Sequence, residues 1–155
     1  MNHSEKAKDF FGRDFGCGQS VLSAFSEDFG LDTTTALKLA TGFGSGMGRM
    51  GDVCGALTGG FMVLGLKYGK INPDGSKYTP ATEIIYTKVA ELARRFRERN
   101  ESMDCRDLTG LDLNKFEARV YAREHNIFSG RCSQYVQDVI EILEELLADP
   151  VPIEE

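Results

Sequence analysis

The sequence predicts an all-α protein that folds as one compact domain of six or seven helices with a glycine-rich loop. Apolar side chains recur at spacings of three and four along most of the chain, while alternating strand patterns are nearly absent. At 155 residues the chain has the length of one ordinary domain, and no repeat or linker-like stretch divides it. We therefore expect residues 1–155 to form a single helical domain, with a frayed tail over 150–155.

Start and stop signals mark three helices in the first third of the chain. Ser4 is the predicted cap of the first helix, and Asp32 is the predicted cap of the third, which ends near Gly42. Between them, Gly30 ends a second helix that starts near Gly16. The second helix carries one apolar stripe, formed by Val21, Leu22, Phe25 and Phe29.

A glycine-rich loop over 44–51 precedes the most apolar part of the chain, which is predicted to form a helix from near Asp52 to 68. A polar turn over 72–75 follows, and Thr79 with Pro80 supplies the cap and the first-turn proline of the next helix. The remaining elements are predicted to be a helix over 81–98, a short turn over 105–108, and helices over 113–124 and 131–147.

Charge and hydropathy limit the partners and the location of the protein. The net charge is −6, from 18 basic and 24 acidic side chains, which argues against nucleic acid as a partner. The longest apolar stretch, 53–66, is interrupted by glycines and is shorter than the roughly 20 residues that a membrane-spanning helix needs. The N-terminal residues contain no apolar core of a secretory signal. We therefore expect a soluble cytoplasmic protein, whose thiols meet a reducing environment.

The four cysteines are the predicted centre of the chemistry, as catalytic residues or as metal ligands. They are Cys17, Cys54, Cys105 and Cys132, and none belongs to a CxxC pair. On the boundaries above, each lies in the first turn of a helix, after the candidate caps Asp14, Asp52, Asp104 and Ser129. A helix N-terminus has unpaired N–H groups and a partial positive charge, which favour a thiolate. We select Cys54 as the attacking thiol, because its surroundings are the most specialised.

The surroundings of Cys54 are rich in glycine. Gly55 and Gly59 lie on one face of the predicted helix, although each glycine costs about 1 kcal/mol relative to alanine in a helix interior. Close approach of another backbone would compensate for this cost. We therefore predict that a second cysteine-bearing helix packs against Cys54.

A short pattern, C-x-Q-x-V, occurs at both Cys17 and Cys132. Residues two apart on a helix do not face each other. Gln19 and Gln134 are therefore predicted to reach neighbouring helix ends and not their own cysteines.

The glycine-rich loop lacks the Lys-Ser/Thr ending of a P-loop and follows no predicted strand, so it matches no nucleotide fingerprint. Two interpretations remain for it: an anion site with Arg49 as the clamp, or close passage of the backbone beside the thiols. Arg49 would then offset thiolate charge near Cys54. The candidate cofactor-binding residues beside the motif are Arg49, Gly48, Gly51 and Gly55.

The same region resembles the C_GCAxxG_C_C family of four-cysteine, redox-active proteins. The resemblance rests on Cys-Gly-Ala-x-x-Gly over residues 54–59, which follows Gly-Met-Gly-Arg-Met-Gly over 46–51. The family pattern also has one cysteine upstream and two downstream, here Cys17, Cys105 and Cys132. Where the family name spells Gly-Cys-Ala, this chain reads Cys-Gly-Ala. The resemblance extends over about 15–143 and implies redox activity at the cysteines, without naming a substrate.

Three functional hypotheses stay open on the residues alone. The leading one is a thiol-dependent oxidoreductase or electron-transfer protein whose cysteine pairs cycle between dithiol and disulfide, together with a redox partner protein. The second is a zinc or iron–sulfur site ligated by the four cysteines, so that a cofactor and no cofactor are equally compatible with the sequence. The third is a helical interaction module, such as a homodimer, in which the cysteines are inert buried side chains.

Overall fold

The computed structural model describes residues 1–70 and 80–151, and over these residues the chain forms eight helices and no β-strand. The helices are α1 (His3–Gly12), α2 (Cys17–Phe25), α3 (Thr33–Ala40), α4 (Gly55–Tyr68), α5 (Pro80–Asn100), α6 (Cys105–Thr109), α7 (Phe116–Glu124) and α8 (Ser133–Leu146). The all-α class is confirmed. The count of six or seven is wrong, because the turn predicted over 105–108 forms the short helix α6.

Three predicted features lie wholly or partly outside the described residues. The polar turn over 72–75 and the cap Thr79 lie there, as do residues 152–155 of the expected frayed tail. Within the described part of the chain, no helix is both long enough and apolar enough to cross a membrane.

The ends of the first helices follow from local capping. Asn2, and not Ser4, caps α1, because its side chain accepts the N–H of Glu5 while the Glu5 carboxylate accepts the N–H of Asn2. This reciprocal pair satisfies two backbone donors at once. Asp32 caps α3 as predicted, since its carboxylate accepts the N–H of Thr35 at 2.9 Å.

The helix predicted from Gly16 onward divides into two parts. The α-helix α2 ends at Phe25, and a 3-10 turn, Ser26–Phe29, continues to Gly30. Gly30 has a φ of 78°, a left-handed conformation that glycine adopts without steric cost. The predicted stop is therefore confirmed.

The main core lies between α2, α4, α5 and α8. Its fully buried members include Val21, Leu22 and Phe25 from α2, Leu57, Val63 and Leu64 from α4, Leu92 and Phe96 from α5, and Val136, Val139, Ile140 and Leu143 from α8. A second, smaller cluster surrounds Cys105, Leu113 and Ala122. The predicted apolar stripe of the second helix is thus confirmed for Val21, Leu22 and Phe25.

The glycines of α4 bring α2 very close. A Cβ atom added to Gly59 would lie 2.8 Å from the carbonyl oxygen of Gly18, closer than real side chains approach. A Cβ atom added to Gly55 would lie 3.5 Å from the Cβ of Cys17. The close backbone approach predicted from the glycine face is therefore confirmed, and it places Cys17 beside the start of α4.

Candidate functional site

A single antiparallel backbone bridge joins the segment before α4 to the segment before α6. The N–H of Cys54 donates to the carbonyl oxygen of Met103 at 2.8 Å, and the N–H of Cys105 donates to that of Asp52 at 2.7 Å. Because both hydrogen bonds use the cysteines' own backbone groups, the bridge positions Cys54 and Cys105 relative to each other.

The glycine-rich loop passes directly beside Cys105. Gly46 has a φ of 70°, and a Cβ atom added to it would lie 2.6 Å from the Cβ of Cys105 and 2.7 Å from the carbonyl oxygen of Asp52. Both the left-handed conformation and the lack of space require glycine here. Of the two interpretations of this loop, the structure shows the close passage of backbone beside a thiol.

Three cysteines stand at helix N-termini, as predicted: Cys17 begins α2, Cys105 begins α6, and Cys54 caps α4. Cys132 differs, because the π-helical turn Phe128–Cys132 leads into α8 without a break. The N–H of Cys132 donates to the carbonyl oxygen of Ile127 at 3.0 Å. The helix start predicted after Ser129 is therefore wrong, and Cys132 has no free helix N-terminus of its own.

All four cysteines border one cavity of about 580 Å³. Cys17 is partly exposed, whereas Cys54, Cys105 and Cys132 are buried, with exposed fractions of 5%, 8% and 7%. The fold thus brings together four side chains that lie far apart in the sequence, and it gives them one common route to solvent.

The thiols of Cys17 and Cys132 are close enough to influence each other's acidity. Their hydrogen-bonding interaction lowers the pKa of Cys132 and raises the pKa of Cys17 well above its usual value. Burial opposes the effect at Cys132, while the positive charge of Arg131 adds to it. The geometry therefore favours a thiolate at Cys132 and a thiol at Cys17.

The pKa values of Cys54 and Cys105 are raised, in contrast to that of Cys132. Burial raises the pKa of Cys54 to about 12, although the N–H groups of Ala56 and Leu57 at the start of α4 act in the other direction. Burial likewise raises the pKa of Cys105 to about 11. The loss of hydration therefore outweighs the helix N-terminus at both positions.

The sequence analysis did not select several residues of the site. Arg131 directly precedes Cys132, and this adjacency was the available signal. Lys8 and Arg123 line the cavity from α1 and α7, and only the folded chain brings them there. The hydroxyl of Tyr135, another lining residue, donates to the carbonyl oxygen of Leu108 at 2.9 Å and so links α8 to α6.

The candidate cofactor-binding residues beside the motif lie in two different parts of the structure. Gly55 lines the cavity, whereas Arg49, Gly48 and Gly51 are not among the residues that line it. Gly51 instead packs against Arg106, whose Nε would lie 3.0 Å from an added Cβ. The cation that lowers the pKa of Cys132 is Arg131, and not Arg49.

The two glutamines of the repeated pattern behave differently. Gln19 donates to the carbonyl oxygen of Leu37 at the end of α3, at 3.0 Å, as predicted. Gln134 donates to Asp138 within its own helix, so the prediction is wrong for that residue. Gln19 therefore ties the helix of Cys17 to its neighbour.

The four thiols have the right chemistry for zinc or an iron–sulfur cluster. Over residues 1–70 and 80–151, however, no group of three or more His, Cys, Asp or Glu side chains is arranged to hold a metal ion. The four sulfurs border the same cavity, but as arranged among the described residues they do not form a metal centre.

Comparison with known proteins places the chain in a family. Residues 15–146 match the family described as "Putative redox-active protein (C_GCAxxG_C_C)". An uncharacterized protein from Archaeoglobus fulgidus is 30% identical over 158 residues, an alignment that covers 96% of this chain and 98% of that relative. No solved structure matches the chain. The match covers all four cysteines and the glycine-rich motif, and the chain therefore belongs to the C_GCAxxG_C_C family.

Proposed function

We propose that the protein is a thiol-dependent oxidoreductase in which Cys17 and Cys132 cycle between a dithiol and a disulfide. The observation that carries this proposal is that Cys17 and Cys132 border one cavity, with their thiols close enough for Cys17 to lower the pKa of Cys132. Thiol–disulfide exchange needs a thiolate that attacks and a second thiol within reach that resolves the mixed disulfide. The proximity of Cys17 and the lowered pKa of Cys132 support both conditions.

We assign the attack to Cys132, because its pKa is lowered by Cys17 and by Arg131. Attack on a disulfide forms a mixed disulfide at the Cys132 sulfur and releases one thiolate of the substrate. Cys17 then loses its proton and attacks the Cys132 sulfur, which releases the second thiol and closes the Cys17–Cys132 disulfide. Two electrons pass from the two cysteines to the substrate.

This assignment replaces Cys54 as the attacking thiol. A thiol with a pKa of about 12 is almost entirely protonated at neutral pH, and the protonated form is a poor nucleophile. We assign Cys54 and Cys105 to a second dithiol, which stays reduced while the first pair turns over.

The interaction-module hypothesis loses its main support. The glycine face of α4 is used inside the chain, by Gly18 on one side and on the other by Leu92 and Val139, which would lie 2.8 and 2.9 Å from a Cβ added to Gly60. A homodimer remains a prediction, but it does not rest on this face.

The test is a thiol count and a metal assay on protein purified without oxygen, before and after mild oxidation with diamide. We expect the titratable thiols to fall reversibly from four to two, with a Cys17–Cys132 peptide found by mass spectrometry. Cys132→Ser should prevent this disulfide, and Cys54→Ser should leave it in place. A disulfide between other cysteines contradicts the proposal. Stoichiometric zinc or iron with protected thiols would support the metal-site hypothesis instead.

A further inference from the structure

The cavity that leads to the reactive pair has the size of a small-molecule site. Its volume of about 580 Å³ lies within the roughly 300–1,000 Å³ typical of such sites. Cys132 is 7% exposed, so a substrate must enter the cavity before it reaches that sulfur. A low-molecular-weight compound can enter in this way, and its whole surface can then contact the cavity lining.

The charged side chains of the cavity favour an anion. Among the described residues, Lys8, Arg123 and Asp14 are the charged side chains that line it, so that the sum of their charges is positive before the Cys132 thiolate is counted, although the whole chain carries −6. Neither Lys8 nor Arg123 forms a salt bridge with any residue in the ranges 1–70 and 80–151. Several other cations are paired, for example Arg95 with Glu145 at 2.7 Å and Arg99 with Glu141 at 2.6 Å. An anionic substrate in the cavity that the thiols border would meet Lys8 and Arg123 without a competing carboxylate partner from the described part of the chain.

The rest of the lining adds an apolar surface. Phe11 and Phe15, from α1 and the segment after it, and Phe128, from the π-helical turn, contribute aromatic side chains to the cavity. Such a wall favours a substrate with methylene groups next to its charged ends. The combination of cations, apolar wall and reactive sulfur thus defines one chemical class of ligand.

We propose that the cavity binds a low-molecular-weight disulfide that carries carboxylates, and that Cys17 and Cys132 reduce it. This inference rests on the proposed function. One disulfide and two protein thiols give two small thiols and the Cys17–Cys132 disulfide, so that two electrons and two protons move to the substrate. Lys8 and Arg123 act as positioning residues, which hold the carboxylates while the Cys132 sulfur reaches the disulfide bond.

Three disulfides of similar size and different charge test this proposal. They are 3,3′-dithiodipropionate, a dianion; bis(2-hydroxyethyl) disulfide, which is neutral; and cystamine, a dication. The rate at which each oxidises the reduced protein is divided by its rate with dithiothreitol, which removes differences in intrinsic reactivity. We expect the normalised rate of the dianion to exceed that of the dication by about tenfold or more at low ionic strength, and the preference to shrink with added salt.

Charge-reversal variants then show which residues cause the preference for the dianion. Lys8→Glu combined with Arg123→Glu should abolish or invert it, while Lys6→Glu, on the same helix but outside the cavity lining, should leave it unchanged. Circular dichroism checks that each variant is folded. Equal normalised rates for the three probes, or a preference that survives the double variant, overturn the inference.

The outcomes separate this inference from the proposed function. If diamide forms the Cys17–Cys132 disulfide but the probes show no charge preference, the substrate class is wrong and the function stands. If oxidised thioredoxin accepts electrons faster than all three probes, the substrate is a protein and the inference is overturned. If no oxidant forms this disulfide, the proposed function fails as well.

Discussion

The two cysteine pairs border one cavity, yet their sulfurs experience opposite environments. Cys132 accepts a hydrogen bond from Cys17 and lies near Arg131, so its pKa is lowered. Backbone hydrogen bonds join the segment of Cys54 to the segment of Cys105, and burial raises the pKa values of these two cysteines to about 12 and about 11. One fold therefore holds thiols of raised and of lowered pKa around the same cavity.

The difference shows which physical effect decides the acidity of a thiol here. Cys54 caps a helix, which favours a thiolate, but its pKa rises because the buried sulfur loses its hydration. Cys132 has no free helix N-terminus, and its pKa falls because a neighbouring thiol donates to it directly. A specific hydrogen bond thus outweighs helix position as a guide to reactivity.

The largest expected difference between the pairs is in alkylation. At pH 7 we expect iodoacetamide to modify Cys132 at least about 100-fold faster than Cys54, because two or more units of pKa separate their thiolate fractions. Mass spectrometry of quenched samples gives both rates in one experiment. Cys54→Ser should leave the Cys132 rate unchanged. Modification of Cys54 before Cys132 would reverse the comparison.

A second prediction concerns stability at alkaline pH. The folded state keeps the proton of Cys54 up to about pH 12, whereas the unfolded chain loses it near the ordinary value of 9.0. The unfolded state therefore binds fewer protons between these values, so the free energy of unfolding falls as pH rises above about 9, by up to ~1.4 kcal/mol per pH unit for this thiol.

Urea unfolding at pH 8, 9 and 10, under reducing conditions, measures this slope. Cys54→Ala should show a shallower decline than the wild-type protein, because the variant lacks the thiol that titrates. Parallel declines in the two proteins would show that burial of Cys54 does not control its titration.

A third prediction uses the contact that positions Cys17. Gly59→Ala would place a Cβ atom 2.8 Å from the carbonyl oxygen of Gly18, and overpacking of this kind costs about 1–3 kcal/mol. The matched control is Gly65→Ala in the same helix, where an added Cβ meets nothing within 4 Å. We expect the control to be stabilised by up to about 1 kcal/mol. Equal effects in denaturant unfolding would contradict the close approach of α2 and α4.

The smallest expected effect is that of the charge beside Cys132. Arg131→Gln removes a positive charge that lowers the pKa of Cys132, so its alkylation rate at pH 7 should fall by about two- to fivefold. The pH profile of alkylation should move to higher pH, and Arg97→Gln, which removes a cation of α5 that does not shift the pKa of Cys132, should not move it. An unchanged profile would leave Cys17 as the only group that lowers this pKa.

Local signals made much of the fold predictable. The spacing of apolar residues predicted the helices, and Asp32 and Gly30 predicted helix ends. Gly55 and Gly59 predicted a close packing contact between two helices. These features act within a few residues of one another, so they can be recognised without knowing the rest of the structure. The predictions went wrong where neighbouring turns merged or divided, as at Phe128–Cys132.

The sequence by itself determined the helical class, the family motif and the four thiols that form the site. Only the tertiary structure decided that Cys17 contacts Cys132, that Cys54 loses its hydration, and that Lys8 and Arg123 meet the same cavity. The reason is physical: helix formation depends on residues three and four apart, whereas the acidity of a thiol depends on water and on neighbours from distant parts of the chain.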